Sequence, residues 1–289
     1  MTPATSTFPG AVLALCSLFG AQTASAEELP LWELALGGGV LTVPEYRGSA
    51  NRRTLPFPFV YPTYRGKVWR IDDDGVRGVL YSSKRTEFDF SADANTAVNS
   101  DASDARRGMP DLDPTVQIGP QLRVRLMSDE AKRHALYLNL PVRGVFEVNF
   151  DKFDHVGVTA SPHFTYYNWF DFFDREWRMG LSAGLEFGDA EFHNFYYGVA
   201  PEFETPTRPA YEADAGFGGT RFIASFISRT RKSWVSVFAR YDRIEEATFE
   251  DSPLVERNGG LTIGFVYSLF LVRSKQTVPV NPVTNERRR

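Results

Sequence analysis

From residue 136 to 148 the chain alternates. Leu136, Leu138, Leu140, Val142, Gly144, Phe146 and Val148 fall on one side, and Tyr137, Asn139, Pro141, Arg143, Val145 and Glu147 on the other. One face is apolar throughout; the other is mostly polar. Strand side chains change faces at every residue, so the run predicts a two-faced strand. It exceeds the ~5–6 residues of an ordinary globular strand and the ~9–11 that cross a bilayer. The same alternation marks 85–93, 115–126, 157–167, 177–187 and 261–269. It is weaker over 233–243, where Phe238 falls on the otherwise polar face.

The pattern predicts twelve strands: 31–43, 54–64, 67–73, 76–83, 85–93, 115–127, 135–148, 155–168, 177–188, 217–229, 233–243 and 259–271. Without the short pair flanking Asp72-Asp73-Asp74-Gly75, ten remain. No apolar run reaches the ~20 residues of a spanning helix. Any bilayer crossing is therefore by a closed barrel, which satisfies every backbone group in lipid.

The connections test this independently. If the first strand leaves the periplasm, the links on that side are 65–66, 83–84, 128–134, 169–177 and 230–232, mostly short. The outer links include 94–114, 188–216 and 244–258, which are long. Bacterial barrels have this asymmetry, whereas a soluble sandwich has shorter strands and turns every ~8–12 residues. Pro120, Pro141 and Pro162 fall inside strands and predict local bulges. The reading is an all-β, single-domain, transmembrane antiparallel up-and-down β-barrel with both termini in the periplasm.

Composition refines it. The 24 Phe and 12 Tyr suit strands and membrane interfaces. Residues 11–21 are apolar, and Ala24-Ser25-Ala26 places small residues at Ala24 and Ala26 before Glu27, as at a signal-peptide cleavage site; residues 1–10 contain no Lys or Arg. The division is a signal peptide over 1–26, a barrel over 27–271 and a polar periplasmic tail over 272–289, disordered by composition. The one cysteine, Cys16, leaves with the signal peptide, so disulfides and thiolate chemistry are excluded from the mature chain. Residues 1–26 carry no charged side chain, so the net charge of −4 belongs to the mature chain and argues against nucleic acid as a partner.

Two resemblances stand out. Thr262, Gly264, Tyr267, Leu269 and Phe270 resemble the C-terminal signal read by the barrel-assembly machinery, although the chain continues beyond it. Val43-Pro44-Glu45-Tyr46-Arg47-Gly48-Ser49, Asp74-Gly75-Val76-Arg77-Gly78, Ala105-Arg106-Arg107-Gly108-Met109-Pro110-Asp111-Leu112-Asp113-Pro114 and Arg208-Pro209-Ala210-Tyr211 resemble the MipA/OmpV family, MltA-interacting proteins. The resemblance implies a barrel in the Gram-negative outer membrane. In the family's namesake it also implies a scaffold joining a murein lytic transglycosylase and a peptidoglycan synthase during cell-wall maintenance.

No catalytic set, cofactor motif or metal-ligand spacing emerges, so the chain reads as a non-enzyme. His134, His155, His163 and His193 lack a second His at ligand spacing. Ser161 and His163 share a face without an evident acidic third member. Asp72-Asp73-Asp74 reads as a solvated hairpin turn rather than a calcium loop. Asp111 and Asp113 cap a turn, fold into the lumen or bind a partner. The inward face carries Glu87, Asp89, Arg123, Arg125, Arg143, Arg178 and Glu186. That suits a narrow solute channel, or a closed lumen whose charges neutralise one another. For a scaffold, the candidate contacts on the periplasmic rim are Phe172 and Phe173, and Arg287, Arg288 and Arg289 of the tail; the alternative is an interfacial girdle and a solvated tail.

Overall fold

The computed structural model describes residues 27–129, 131 and 133–280. The expected signal peptide with Ala24 and Ala26, and Arg287–Arg289, lie outside the described residues. The strands are β1 Glu27–Pro30, β2 Trp32–Pro44, β3 Arg52–Arg65, β4 Trp69–Asp72, β5 Gly75–Ser82, β6 Thr86–Asn95, β7 Thr115–Asp129, β8 His134–Asn149, β9 Lys152–Ala160, β10 His163–Phe172, β11 Arg175–Gly188, β12 Gly216–Arg229, β13 Ser233–Arg243, β14 Gly259–Arg273 and β15 Thr277–Val280. Helix α1, Ala190–Tyr197, lies between β11 and β12.

From β2 to β14 each strand pairs antiparallel with the next except β9 with β10, and β14 returns to β2, closing a ring. β9 and β10 both run along β8 and β11, so they are two halves of one wall strand, interrupted at Ser161 and Pro162. Proline offers no N–H to the ladder, and the break falls there. Counted this way the wall has the expected twelve strands. The short pair β4–β5 is present, with four residues in β4.

The alternation sets which side chain faces where. In β14, Leu261, Ile263, Phe265, Tyr267 and Leu269 are exposed on the outer surface, while Thr262, Gly264, Val266 and Ser268 between them are buried. Trp32, Tyr64, Trp69 and Tyr81 are exposed near the rim that carries the chain ends, at the depth of an aromatic girdle. Phe238, out of pattern in the sequence, points inward and lies over Gly264. A Cβ on Gly264 would sit 2.2 Å from the Phe238 ring.

Beside the terminal rim, β1 and β15 form a separate two-stranded ribbon, from Glu27↔Val280 to Pro30↔Thr277. Residues 277–280 are therefore ordered, where tail composition pointed to disorder; residues 281–289 lie outside the described residues. Val278 and Val280 are buried, which supplies the apolar contact that fixes this short strand.

Candidate functional site

The interior is built in three levels, beginning with the β4–β5 turn. Because β4 is so short, Asp73 and Asp74 do not reach the far rim but turn into the lumen. Asp73 Oδ1 accepts from Tyr61 Oη of β3 at 2.6 Å and from Trp234 Nε1 of β13 at 2.9 Å. Asp74 Oδ1 accepts from Arg178 Nη1 of β11 at 2.9 Å and Tyr167 Oη of β10 at 3.1 Å. Arg123 of β7 reaches Asp74 Oδ2 at 3.4 Å. Two adjacent side chains thus touch five strands around the ring, so the turn lies across the lumen as a plug. Below it, Arg77 bridges Asp72 at 2.8 Å and Glu87 at 3.0 Å, and Arg70 adds a second bond to Glu87 at 2.8 Å. The solvated turn expected from sequence is corrected: surplus inward arginines draw these carboxylates inside, where buried charges persist only when paired.

Above the plug lies a central polar cavity of about 410 Å³. Arg143 enters it from β8, donating to Ser91 Oγ at 2.9 Å and standing 4.0 Å from Asp93. Ser161 and His163 also line it, but form no relay. Ser161 Oγ donates to Glu186 at 3.1 Å, while His163 Nδ1 meets the Ser161 carbonyl at 2.7 Å. The sequence missed Glu186 as Ser161's partner, because the two lie on different strands. Arg125, paired in register with the buried Tyr137, keeps the inward face and reaches toward the rim. A bulge between Arg125 and Met127 shifts the end of β7, and its guanidinium donates to the Lys84 carbonyl at the rim.

The third level is a cap. Loops 45–51, 96–114, 189–215 and 244–258 pack one apolar core over the mouth, including Tyr46, Val98, Leu112, Tyr197, Phe249 and Leu254. Tyr197 stacks on Phe249 with ring centroids 3.7 Å apart. Helix α1 starts where Asp189 caps the Phe192 N–H at 2.8 Å. The other Asp189 oxygen accepts from Val158, binding the helix to β9. Gly157, at φ +122°, permits the approach; a Cβ there would meet Phe192 N at 2.4 Å.

The motif residues 105–114 are spent on the cap. Arg106, 2% exposed, donates to Ser100 Oγ, the Pro110 carbonyl and the Tyr196 carbonyl. Asp111 accepts from the Ser100 N–H at 2.7 Å, and Asp113 from Asn149 at 3.1 Å. Asp111 thus caps a turn within the 96–114 loop, and Asp113 ties that loop to the end of β8. Arg208 ties in the Ala105, Arg107 and Phe203 carbonyls. Burial raises the Tyr46 phenol to about 12 and lowers the His193 imidazole below its ordinary value. Beneath the cap a second cavity, about 250 Å³, is lined by Tyr46, His193 and Tyr197 from the loops and by Arg221, Arg240 and Thr262 from the wall. Asp242 gathers Arg221 and Arg240 at 2.8 Å and Arg47 at 3.3 Å.

The remaining predicted sites lie on the surface or on β14. Phe172 and Phe173 sit in the β10–β11 turn at the terminal rim, 55% and 83% exposed, with rings 4.3 Å apart. Tyr267 and Leu269 face outward, Thr262 and Gly264 inward. Arg229 and Arg273 both lie against the Phe270 ring, 4.3 and 5.0 Å from its centroid.

A closed antiparallel ring, apolar outside and charged within, defines a β-barrel of the outer-membrane class. The chain belongs to the MltA-interacting protein MipA family, whose model matches residues 36–269. A solved structure described as a bacterial polysaccharide outer membrane secretin is similar over 83% of this chain and 99% of that one, at 9% identity and a TM-score of 0.40. No curated protein matches the sequence.

Proposed function

We propose that this protein is a non-conducting outer-membrane scaffold that holds a murein lytic transglycosylase beside a peptidoglycan synthase. The observation that carries the reading is closure at both ends: the apolar-cored cap over one mouth and the Asp73–Asp74 plug across the other. The inward charges that suited a channel are largely consumed by pairing. The family's name supplies the partner class: a protein that interacts with a murein enzyme.

In this reading the chain ends and the β10–β11 turn face the periplasm, where murein lies. Phe172 and Phe173 are the anchors offered there, exposed aromatics flanked by Asp171, Asp174 and Arg175. Arg287, Arg288 and Arg289 of the tail are the second contact, and β14 carries the signal for the assembly machinery. The test is capture from crosslinked envelopes. The wild-type protein retains a lytic transglycosylase, and replacing Phe172 and Phe173 with Ser, or removing residues 281–289, lowers retention without loss of heat-modifiable folding. Full retention by both variants sinks the contact surface. Steady single-channel conductance of the wild-type protein in planar bilayers favours the narrow solute channel instead.

A further inference from the structure

The short β4–β5 hairpin leaves the wall incomplete beside it. β3 pairs with β4 only at Tyr64↔Ile71 and Arg65↔Arg70. β5 reaches β6 no higher than Arg77↔Ser91. On that side β3 has no strand partner from Arg52 to Thr63, and β6 none from Ala92 to Asn95. The Arg65 N–H donates to the Leu31 carbonyl, on the β2 side. Backbone groups alternate direction along a strand, so odd residues of β3 bond β2 and even residues face the free edge. Pro56, Pro58 and Pro62 are all even. Three N–H groups that would otherwise lie unpaired at that edge are absent, which is how an edge is kept from pairing.

The gap communicates with the interior. Ala92 faces outward with Phe88 and Phe90, and Asp93 faces inward with Asp89 and Ser91, yet both Ala92 and Asp93 line the central cavity. The cavity therefore reaches the stretch of β6 that has no β5 partner. Consistent with this, the inward Asp93 side chain is 55% exposed. At the far end the gap is closed where Arg53 donates to Thr96 Oγ1 at 3.0 Å.

We propose that this window is a lateral portal by which a lipid of the surrounding bilayer places its polar head in the central cavity while its acyl chain stays outside, against the proline edge of β3. The source is set by what the window faces: its outer flanks are Pro56, Pro58, Val60, Phe88 and Phe90, all exposed apolar residues in the membrane-facing band. The head is set by the lining. Four arginines and four carboxylates face the cavity, a balance that suits a zwitterionic head and leaves an anionic one without surplus cation. A volume of about 410 Å³ lies within the ~300–1,000 Å³ of ligand pockets.

The test places photoreactive benzoyl-phenylalanine, one site at a time, at Ala92 on the outer edge, at Gln121 inside the cavity and at Val266, inward but away from it. Each variant is reconstituted in phosphatidylethanolamine or in phosphatidylglycerol vesicles, irradiated and weighed by mass spectrometry. Lipid adducts are expected at Ala92 in both lipids, at Gln121 at least ~5-fold more with phosphatidylethanolamine, and not at Val266. Thr165, on the opposite cavity wall, repeats the readout if the Gln121 variant does not fold. Ala92→Trp, filling the window, lowers the Gln121 adduct at least ~5-fold while the barrel still folds. Adducts at Ala92 alone overturn the proposal, as does a Gln121 adduct that ignores Ala92→Trp or the head group. Ala92 crosslinked to a second copy of the chain overturns it too, since the gap is then a protein interface.

Discussion

Replacing Asp74 with alanine removes the centre of the plug. Three bonds go: Arg178 at 2.9 Å, Tyr167 at 3.1 Å and Arg123 at 3.4 Å. The Arg123, Arg178 and Asp74 side chains are each less than a tenth exposed. Stripping one partner from a buried pair costs about 3–5 kcal/mol, because the remaining charge stays desolvated. Arg178 retains Asp73 at 3.5 Å, and Arg123 retains the Tyr137 ring at 4.1 Å. The expected loss is therefore at the lower end, ~3 kcal/mol, or ~100-fold in the folded-to-unfolded ratio. Asp74→Asn keeps an acceptor for Tyr167 and Arg178 and loses only ~1–2 kcal/mol. Asp104→Ala is the control: its pair with Arg107 is 67% exposed on both sides, and its loss costs under ~1 kcal/mol. Urea unfolding of the protein in lipid vesicles, read by gel migration, gives all three values. Hydrogen exchange over 69–79 then shows whether the hairpin is released. If Asp74→Ala is as stable as Asp104→Ala and exchange over 69–79 is unchanged, the turn is not held by these charges.

Other outcomes follow from the cap and the wall. Gly264→Val forces a Cβ into the Phe238 ring and costs ~1–3 kcal/mol by overpacking, and Phe238→Ala in the same chain restores heat-modifiable folding. Arg106→Met leaves the Pro110 and Tyr196 carbonyls without their buried donor and loosens the cap by ~2 kcal/mol, seen as faster proteolysis within 96–114 while the strands stay protected. His193 is neutral when folded because burial lowers its pKa. Above the ordinary value near ~6.5 it therefore takes nothing from stability. As pH falls below that value the unfolded cap binds the proton first, so protection of α1 declines until the folded pKa is passed. His193→Gln flattens that decline in hydrogen exchange.

The wall was legible because period-two alternation is local: β14 and β8 show it within their own residues, and bounds agree within a few positions. Phe238 looked like a flaw in the pattern and is the partner of Gly264, twenty-six positions on and visible only through register. The cap was not legible. Tyr46, Val98, Phe249 and Leu254 sit in loops with no period, and nothing local says that separate loops share one core. The plug was misread for a related reason. Asp-Asp-Asp-Gly has the composition of a wet turn, and its five partner strands lie elsewhere in the chain. The one available signal was the brevity of β4 set against Arg123 and Arg125 on the inward face of β7, which carries no carboxylate of its own.

The β1–β15 ribbon bears on the order of assembly. Its two strands lie at opposite ends of the described chain, and their register, Glu27↔Val280, is met only once β14 has found β2. Bringing such distant segments together in an open chain carries a large loop-closure entropy; after the ring shuts, the same segments are neighbours, joined through Leu31 and Gln276. The ribbon is thus a latch that engages after the door has closed. It contributes nothing to the search for the closing pair but slows the reverse step, so its loss is expected to show in the opening rate of the barrel rather than in the rate at which it forms.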